Sequence, residues 1–405
     1  MSQGKIHNEV QQSLVAVCEQ PSCFILRRHG NLFNKIISDD NLRLALRNAC
    51  RSNGRSSPAK RRNVQDVRNN PEKWLCNLRE RLLNFHISPY TCFPLFDPKL
   101  RFIYSLPFIC DRLVHHALLN VLAPIWNNLM FPFSFACREN KGQHLAGLLC
   151  AQYVRKYKYV AQFDISQFYV SLNHNVLKQI LRKKIKDAKV LAILDEIIDS
   201  VSTRDQNLKH LYKLKAKGLN HPDINKEIFK LELSKQRDNS EPAGVPVGSY
   251  TSQWFGNLYL NENDTFLVHQ CKCKAIVRYC DDFLIFSNDK KYLQEIKNKE
   301  KAFLWNTLHL ILSKAEIFPA NQGVDFCGYR YFPNGKTLLR KRTMRRQAQN
   351  LKQIKTDFNT GAITKERARS KIASMDGWLR WAMCHNWKLK NNFYTIKSEI
   401  LNAQV

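Results

Sequence analysis

Two short apolar runs, Ala275–Arg278 and Phe283–Phe286, flank a polar tip, Cys280-Asp281-Asp282. Runs of this length around a polar turn read as a strand–turn–strand hairpin. A third run, Tyr159-Val160-Ala161-Gln162-Phe163, leads as a strand into Asp164. Three carboxylates at strand ends, flanked by apolar strand residues, would be held on a rigid sheet. Any fold for this chain has to place that sheet and leave its acidic end usable.

The rest of the chain divides around these strands. Residues 1–26 read as a weakly patterned leader, followed by a basic stretch from Asn31 to Arg62 with a loop signal at Ser52-Asn53-Gly54 and Ser56-Ser57-Pro58. Trp74, Leu75, Leu78 and Leu82 have helical spacing, Tyr90 to Tyr104 looks extended, and Leu113 to Leu122 is helical again. A helix is expected from His174 to Lys186. A lysine-rich, mostly helical surface insertion is expected over 202–240, and a loop running into a helix over Gly244 to Leu260. From Lys341 onward the chain is basic and helical, with a break at Thr360-Gly361.

The chain has 405 residues and 44% apolar composition, enough for a core spread over two or three subdomains. Lys and Arg number 64 against 34 acidic residues, a formal net charge of +30. Self-repulsion on that scale is relieved by a polyanion, so nucleic acid is the expected partner. A basic RNA-binding protein without chemistry, such as a ribosome-associated factor, has the same composition. The 13 cysteines are scattered and odd in number, which fits a reducing cytoplasm better than a disulfide framework. Cys271 and Cys273 lack a second pair at zinc-site spacing and read as ordinary cysteines near a strand. The N-terminus lacks a signal-peptide pattern, and no apolar run approaches the ~20 residues that span a bilayer.

Nucleotidyl transfer uses two divalent ions ~4 Å apart, one activating the primer hydroxyl and one holding the triphosphate. Magnesium keeps several waters, so two or three carboxylates suffice. Asp164, Asp281 and Asp282 suit that task, although an Asp at a turn is by itself most often a solvated turn residue.

Phe163-Asp164-Ile165-Ser166-Gln167-Phe168-Tyr169 resembles motif A of reverse transcriptases, and Tyr279-Cys280-Asp281-Asp282 resembles their Tyr-x-Asp-Asp box. Gly244-Val245-Pro246-Val247-Gly248 resembles motif B, Leu308 to Lys314 motif D, and Val324-Asp325-Phe326-Cys327-Gly328-Tyr329 the primer-grip hairpin. The order and spacing resemble a right-hand polymerase fold of the α+β class, with fingers, an antiparallel-sheet palm and a small helical thumb. That resemblance implies fingers and the start of the palm over 27–158, palm over 159–335 and thumb over 336–405. It also implies RNA-templated DNA synthesis from dNTPs, with Asp164, Asp281 and Asp282 catalytic.

The implied metal set is those three residues with Ile165, holding two Mg2+ ions or, alternatively, Mn2+. Tyr169 would be the steric gate against a ribose 2′-hydroxyl, acting by exclusion. Arg101, with Lys99 beside it, would grip the triphosphate through a bidentate guanidinium. Lys314 could protonate the leaving pyrophosphate. Phe168, Val247, Gly248 and Gln253 complete the implied nucleotide-binding set. Arg340, Lys341, Arg342, Arg345 and Arg346 would track the template–primer backbone from the thumb.

Leu106-Pro107-Phe108-Ile109-Cys110-Asp111-Arg112-Leu113-Val114-His115-His116-Ala117-Leu118 resembles a block of the reverse transcriptases of diversity-generating retroelements. So does Ser134-Phe135-Ala136-Cys137-Arg138 through Lys141-Gly142. Val247-Gly248-Ser249-Tyr250-Thr251-Ser252-Gln253 has that group's form, where most relatives begin with Gln. Val247 can only pack, so mispairing is expected to be penalised less. The 202–240 segment and the leader depart from that group and resemble additions in bacterial defence-associated reverse transcriptases.

The resemblance therefore implies a bacterial or phage-encoded enzyme copying a dedicated noncoding or retroelement RNA into cDNA, in sequence diversification or in antiphage defence. A small accessory protein or a second reverse transcriptase are the protein partners it allows. Two alternatives stay open: an antiphage polymerase with untemplated or protein-primed synthesis, and a catalytically silent RNA-binding scaffold.

Overall fold

The three apolar runs form neighbouring strands of one sheet, and the remaining elements are arranged to cover it. The computed structural model describes residues 28–51, 58–96, 100–218, 222–237 and 240–402. The expected leader and Lys99 lie outside the described residues.

Among the described residues four helices come first, α1 (Phe33–Ile36), α2 (Asp39–Ala49), α3 (Pro58–Asn69) and α4 (Pro71–Leu83). The hairpin β1 (Thr91–Leu95) and β2 (Arg101–Ser105) follows, then α5 (Leu113–Leu129) and α6 (Gln143–Lys156). Strand β3 (Tyr159–Ile165) leads to α7 (His174–Arg182), α8 (Ala188–Asp199), α9 (Thr203–Ala216), α10 (Pro222–Arg237) and α11 (Tyr250–Thr265). Next come β4 (Ile276–Tyr279), β5 (Asp282–Ser287), α12 (Lys290–Leu308) and β6 (Leu312–Pro319). The chain closes with β7 (Val324–Phe326), β8 (Tyr329–Tyr331) and β9 (Thr337–Leu339), then α13 (Lys341–Asn359), α14 (Lys365–Leu379), α15 (His385–Lys390) and α16 (Phe393–Asn402).

The central sheet has the order β4-β5-β3-β6 with every neighbour antiparallel. Its residues alternate between two cores, as the period of two in a strand requires. Ala161, Phe163, Ile165, Ile276, Phe283 and Ile285 join a core built mainly from the helices before β4 and from α12. Val160, Val277, Leu284 and Phe286 point the other way, into a core shared with α6, the β7-β8-β9 sheet and the C-terminal helices. Phe163 and Phe283 are register partners, and their rings stack at 4.9 Å. Gln162 and Asp164 break the apolar run on the second face, where the cover gives way towards the strand end.

Sequence and structure differ in detail at two places. The expected helix from His174 to Lys186 stops at Arg182, because the main chain beyond it is used elsewhere. His29 N donates to the Lys184 carbonyl and Lys186 N to the His29 carbonyl, both at 2.8 Å. The hairpin tip is shorter than the expected Cys280-Asp281-Asp282, since Tyr279 pairs with Asp282 and leaves only Cys280 and Asp281 in the turn.

The 202–240 segment forms the helical pair α9 and α10, and it carries a buried side. Leu211, Ile224, Ile228 and Leu231 make a small third core with Phe102 and Tyr104 of β2. The Tyr104 hydroxyl donates to Asn207 Oδ1 at 2.6 Å, and His210 stacks on Phe102. The helical pair therefore braces the β1–β2 hairpin. The fold as a whole is a mixed helical and antiparallel-sheet architecture.

Candidate active site

In the β3–β5 ladder Asp164 and Asp282 are register partners. Opposed residues of an antiparallel pair have Cα atoms about 4.5–5.5 Å apart with side chains on one face. Asp281 precedes Asp282 in the two-residue turn, where Cys280 adopts a left-handed φ of 54°. Two-residue hairpin loops demand such a conformation, and it usually falls to Gly or Asn. A cysteine there is backbone strain at a turn that carries a carboxylate. On the other side of β3, Lys314 of β6 is the register partner of Asp164.

Burial raises the Asp282 carboxyl to about 7; Asp164 and Asp281 add to the rise, while a bond from Gln162 and the Arg340 guanidinium oppose it. Half-buried acids that repel one another gain most from a shared cation. Among the described residues no group of three His, Cys, Asp or Glu side chains forms a ready metal cage. The donor set still fits Mg2+, which takes one or two carboxylates and completes its shell with water and substrate phosphate.

Several residues that drew no notice in the sequence support the acids. Gln162, 5% exposed, donates to Asp282 Oδ1 at 3.4 Å and to the Asp325 carbonyl at 3.1 Å, and accepts from Lys314 Nζ at 3.0 Å. Ser313 donates to Asp164 Oδ2 at 2.5 Å. Behind the turn, buried Arg278 grips the buried Asp264 carboxylate through Nε at 2.8 Å and Nη2 at 2.6 Å. Its Nη1 donates to the Cys280 carbonyl and to Asn257 Oδ1, both at 3.2 Å, so one guanidinium ties the strained turn to α11. Gln162 had one sequence signal, an amide inside an otherwise apolar strand.

The expected nucleotide-binding residues fall into distinct places. Tyr169 lies half-buried on a 3-10 turn, Phe168–Val170, with burial raising its phenol and Cys280 and Asp281 close enough to raise it further. Helix α11 passes so near that a Cβ on Gly256 would lie 3.0 Å from both the Phe168 and Tyr169 rings. Phe168 is 3% exposed and Ile165 2%, so only their main chains can meet a nucleotide or metal. Arg101 is exposed on β2.

Tyr104 N donates to the Val247 carbonyl at 2.9 Å, which docks the β1–β2 hairpin onto the segment before α11. Gly248, at φ +115°, lies where a Cβ would meet the Tyr104 carbonyl at 2.7 Å, so this close approach demands glycine. Gln253 is exposed on the first turns of α11. Lys314 is held by Gln162 and by Glu316 at 3.2 Å. Lys341, Arg342, Arg345 and Arg346 are exposed on one side of α13, whereas Arg340 turns inward to within 4.0 Å of Asp325.

A carboxylate pair on adjacent strands, a third acid in the strained turn and an aromatic ring near that turn stand together at this end of the sheet. Residues 96–331 match the family model for reverse transcriptase (RNA-dependent DNA polymerase). The chain belongs to the reverse transcriptase family, and it is an RNA-directed DNA polymerase, a nucleotidyltransferase. It is 25% identical over 369 residues to Protein YkfC of Escherichia coli, covering 80% of this chain and 81% of that protein. It is 22% identical over 251 residues to the putative COX1/OXI3 intron 2 protein of Saccharomyces cerevisiae, covering 54% of this chain but only 29% of that one. Members of this family generally use divalent ions such as Mg2+, an RNA template and dNTPs. Among the described residues no helix is long and apolar enough to cross a membrane.

Proposed function

We propose that Asp164, Asp281 and Asp282, with the Ile165 carbonyl beside them, hold two Mg2+ ions and carry out templated DNA synthesis. The bound ions would supply Lewis-acid activation of the primer hydroxyl and charge neutralisation on the triphosphate. The chain's own side chains do the rest. Gln162 and Ser313 fix the carboxylate rotamers, Arg101 and the 99 position grip the triphosphate, and Tyr169 excludes a 2′-hydroxyl. Lys314, held by Gln162, stands as proton donor to the leaving group. On this reading residues 27–158 are fingers and the start of the palm, 159–335 palm, and 336–405 a thumb whose exposed Lys341, Arg342, Arg345 and Arg346 follow the duplex backbone.

The observation that carries the proposal is the pairing of Asp164 with Asp282 across β3 and β5, with Asp281 in the adjoining turn. A dedicated structured RNA is the proposed template, supported by the likeness to an intron protein. Primer extension with the Asp281→Ala, Asp282→Ala double variant tests the chemistry: loss of extension supports the assignment, and wild-type extension would sink it. Sequencing nucleic acid co-purified with the protein separates the two cellular roles, because diversification and defence copy different templates.

A further inference from the structure

Two cysteines meet at the acidic turn. Cys280 is the first residue of that turn, and Cys137 lies in the loop between α5 and α6. Their thiols hydrogen-bond one another, Cys280 donating to Cys137. Both residues hold a left-handed φ, 56° at Cys137 and 54° at Cys280. Such a conformation disfavours a side chain, and it persists only where the surroundings impose it.

The surroundings do so through one bonded frame. Phe135 N donates to the Arg278 carbonyl at 3.0 Å and Arg278 N to the Phe133 carbonyl at 2.9 Å, so the loop runs alongside β4. Asn257 donates to the Ala136 carbonyl at 2.8 Å and accepts from Arg278 Nη1, which also holds the Cys280 carbonyl. On the far side of Cys137, Arg138 Nη1 donates to the Phe131 and Ser134 carbonyls at 2.7 and 2.8 Å. Groups fixed in contact react at effective concentrations that no thiol in solution reaches. Access is also in place, because Cys137 is exposed and Cys280 half-buried, whereas Cys50, Cys150, Cys271, Cys273 and Cys384 are buried.

We propose that Cys137 and Cys280 are a site of reversible oxidation by a hydroperoxide, whose disulfide closes down the polymerase site. The inference rests on the polymerase reading and adds a means of control to that same site. The Cys137 sulfur attacks one oxygen of the peroxide and the O–O bond breaks. The leaving oxygen takes the thiol proton, departing as water or an alcohol, and Cys137 becomes a sulfenic acid. The Cys280 sulfur then attacks the Cys137 sulfur, the S–O bond breaks, and the hydroxyl leaves as water with the Cys280 proton. The thiol pair gives up two electrons and the peroxide takes up two. A dithiol restores both thiols by exchange, itself becoming a disulfide.

A covalent bond draws the sulfurs closer than a hydrogen bond holds them. The turn follows Cys280 towards the loop and carries Asp281 with it, and the hydrogen bond from the Tyr169 hydroxyl to Cys280 is disturbed. A displacement of ~1 Å at reacting groups lowers a rate about 100-fold.

The test treats the full chain with hydrogen peroxide, blocks remaining thiols by alkylation and maps peptides by mass spectrometry without reductant, with primer extension measured in parallel. A linked peptide pair joining positions 137 and 280 is expected, with extension down about 100-fold and restored by dithiothreitol. Cys137→Ser should extend like the untreated wild type and keep that activity after the same peroxide dose. No 137–280 link, a link that leaves extension intact, or a Cys137→Ser enzyme as peroxide-sensitive as the wild type overturns the proposal. The mapping is made on the wild-type chain, so it stands whether or not the serine variant folds. The Asp281→Ala, Asp282→Ala variant should still form the link while losing extension, so failure of the catalytic assignment is read separately from failure of the thiol pair.

Discussion

Arg278 and Asp264 show how much of this site depends on a pair remote from the reacting atoms. Both are buried, and the arginine spends its remaining donors on Asn257 and the Cys280 carbonyl. Removing one partner of such a pair leaves an uncompensated buried charge, so Asp264→Ala should cost ~3–5 kcal/mol in urea unfolding. Glu300 neighbours this network through Asn263, and burial pushes its carboxyl up to about 8. A carboxyl whose folded value lies above its unfolded value near 4.5 binds its proton more tightly when folded. Stability from this group is therefore full below about 4.5 and is lost as pH rises towards 8. Glu300→Gln should flatten that fall, and unfolding measured at pH 5 and pH 8 checks it. At the nucleotide, Tyr169→Ala should raise ribonucleotide incorporation by about 10- to 100-fold, the discrimination one hydroxyl in a pocket allows; incorporation ratios in primer extension decide it. The three acids and Tyr169 could be picked out in the sequence because each sits in a short run that resembles a known motif. Gln162, Ser313 and Arg278 could not, because each gains its role from partners elsewhere in the chain; Arg340 was picked out for the nucleic-acid backbone, whereas the structure turns it towards Asp325.

Among the elements, the β1–β2 hairpin has little to hold it alone, since isolated two-stranded hairpins are marginal in water. Helices α9 and α10 supply the missing core on one side, and the bond from Tyr104 N to Val247 fastens the other. Tyr104→Phe strips the buried Asn207 carbonyl of its donor and should cost about 1–3 kcal/mol, measurable by chemical denaturation. The central strands were legible from their apolar runs. The buried side of the 202–240 segment was masked by its lysines, since Leu211, Ile224, Ile228 and Leu231 are spread thinly among charged neighbours. The early end of α7 was equally hidden, because only the arrival of His29 diverts the main chain there.

For the whole molecule, a net charge of +30 makes nucleic-acid affinity an ionic-strength quantity. A plot of log affinity against log salt should be linear with a steep negative slope. Replacing Lys341, Arg342, Arg345 and Arg346 with Gln should reduce that slope by roughly one unit for each phosphate these side chains neutralise. An unchanged slope in filter binding would remove α13 from the proposed duplex path. The bracing of β2 by α10 also sets a timetable. A ribosome releases Phe102 and Tyr104 more than a hundred residues ahead of Ile224, Ile228 and Leu231. At elongation rates of ~5–20 residues per second, the emerging hairpin stays bare for about 10 s. During that interval a nascent chain offers an oily strand edge to its neighbours. Chains truncated before residue 224 should therefore be those most dependent on chaperones.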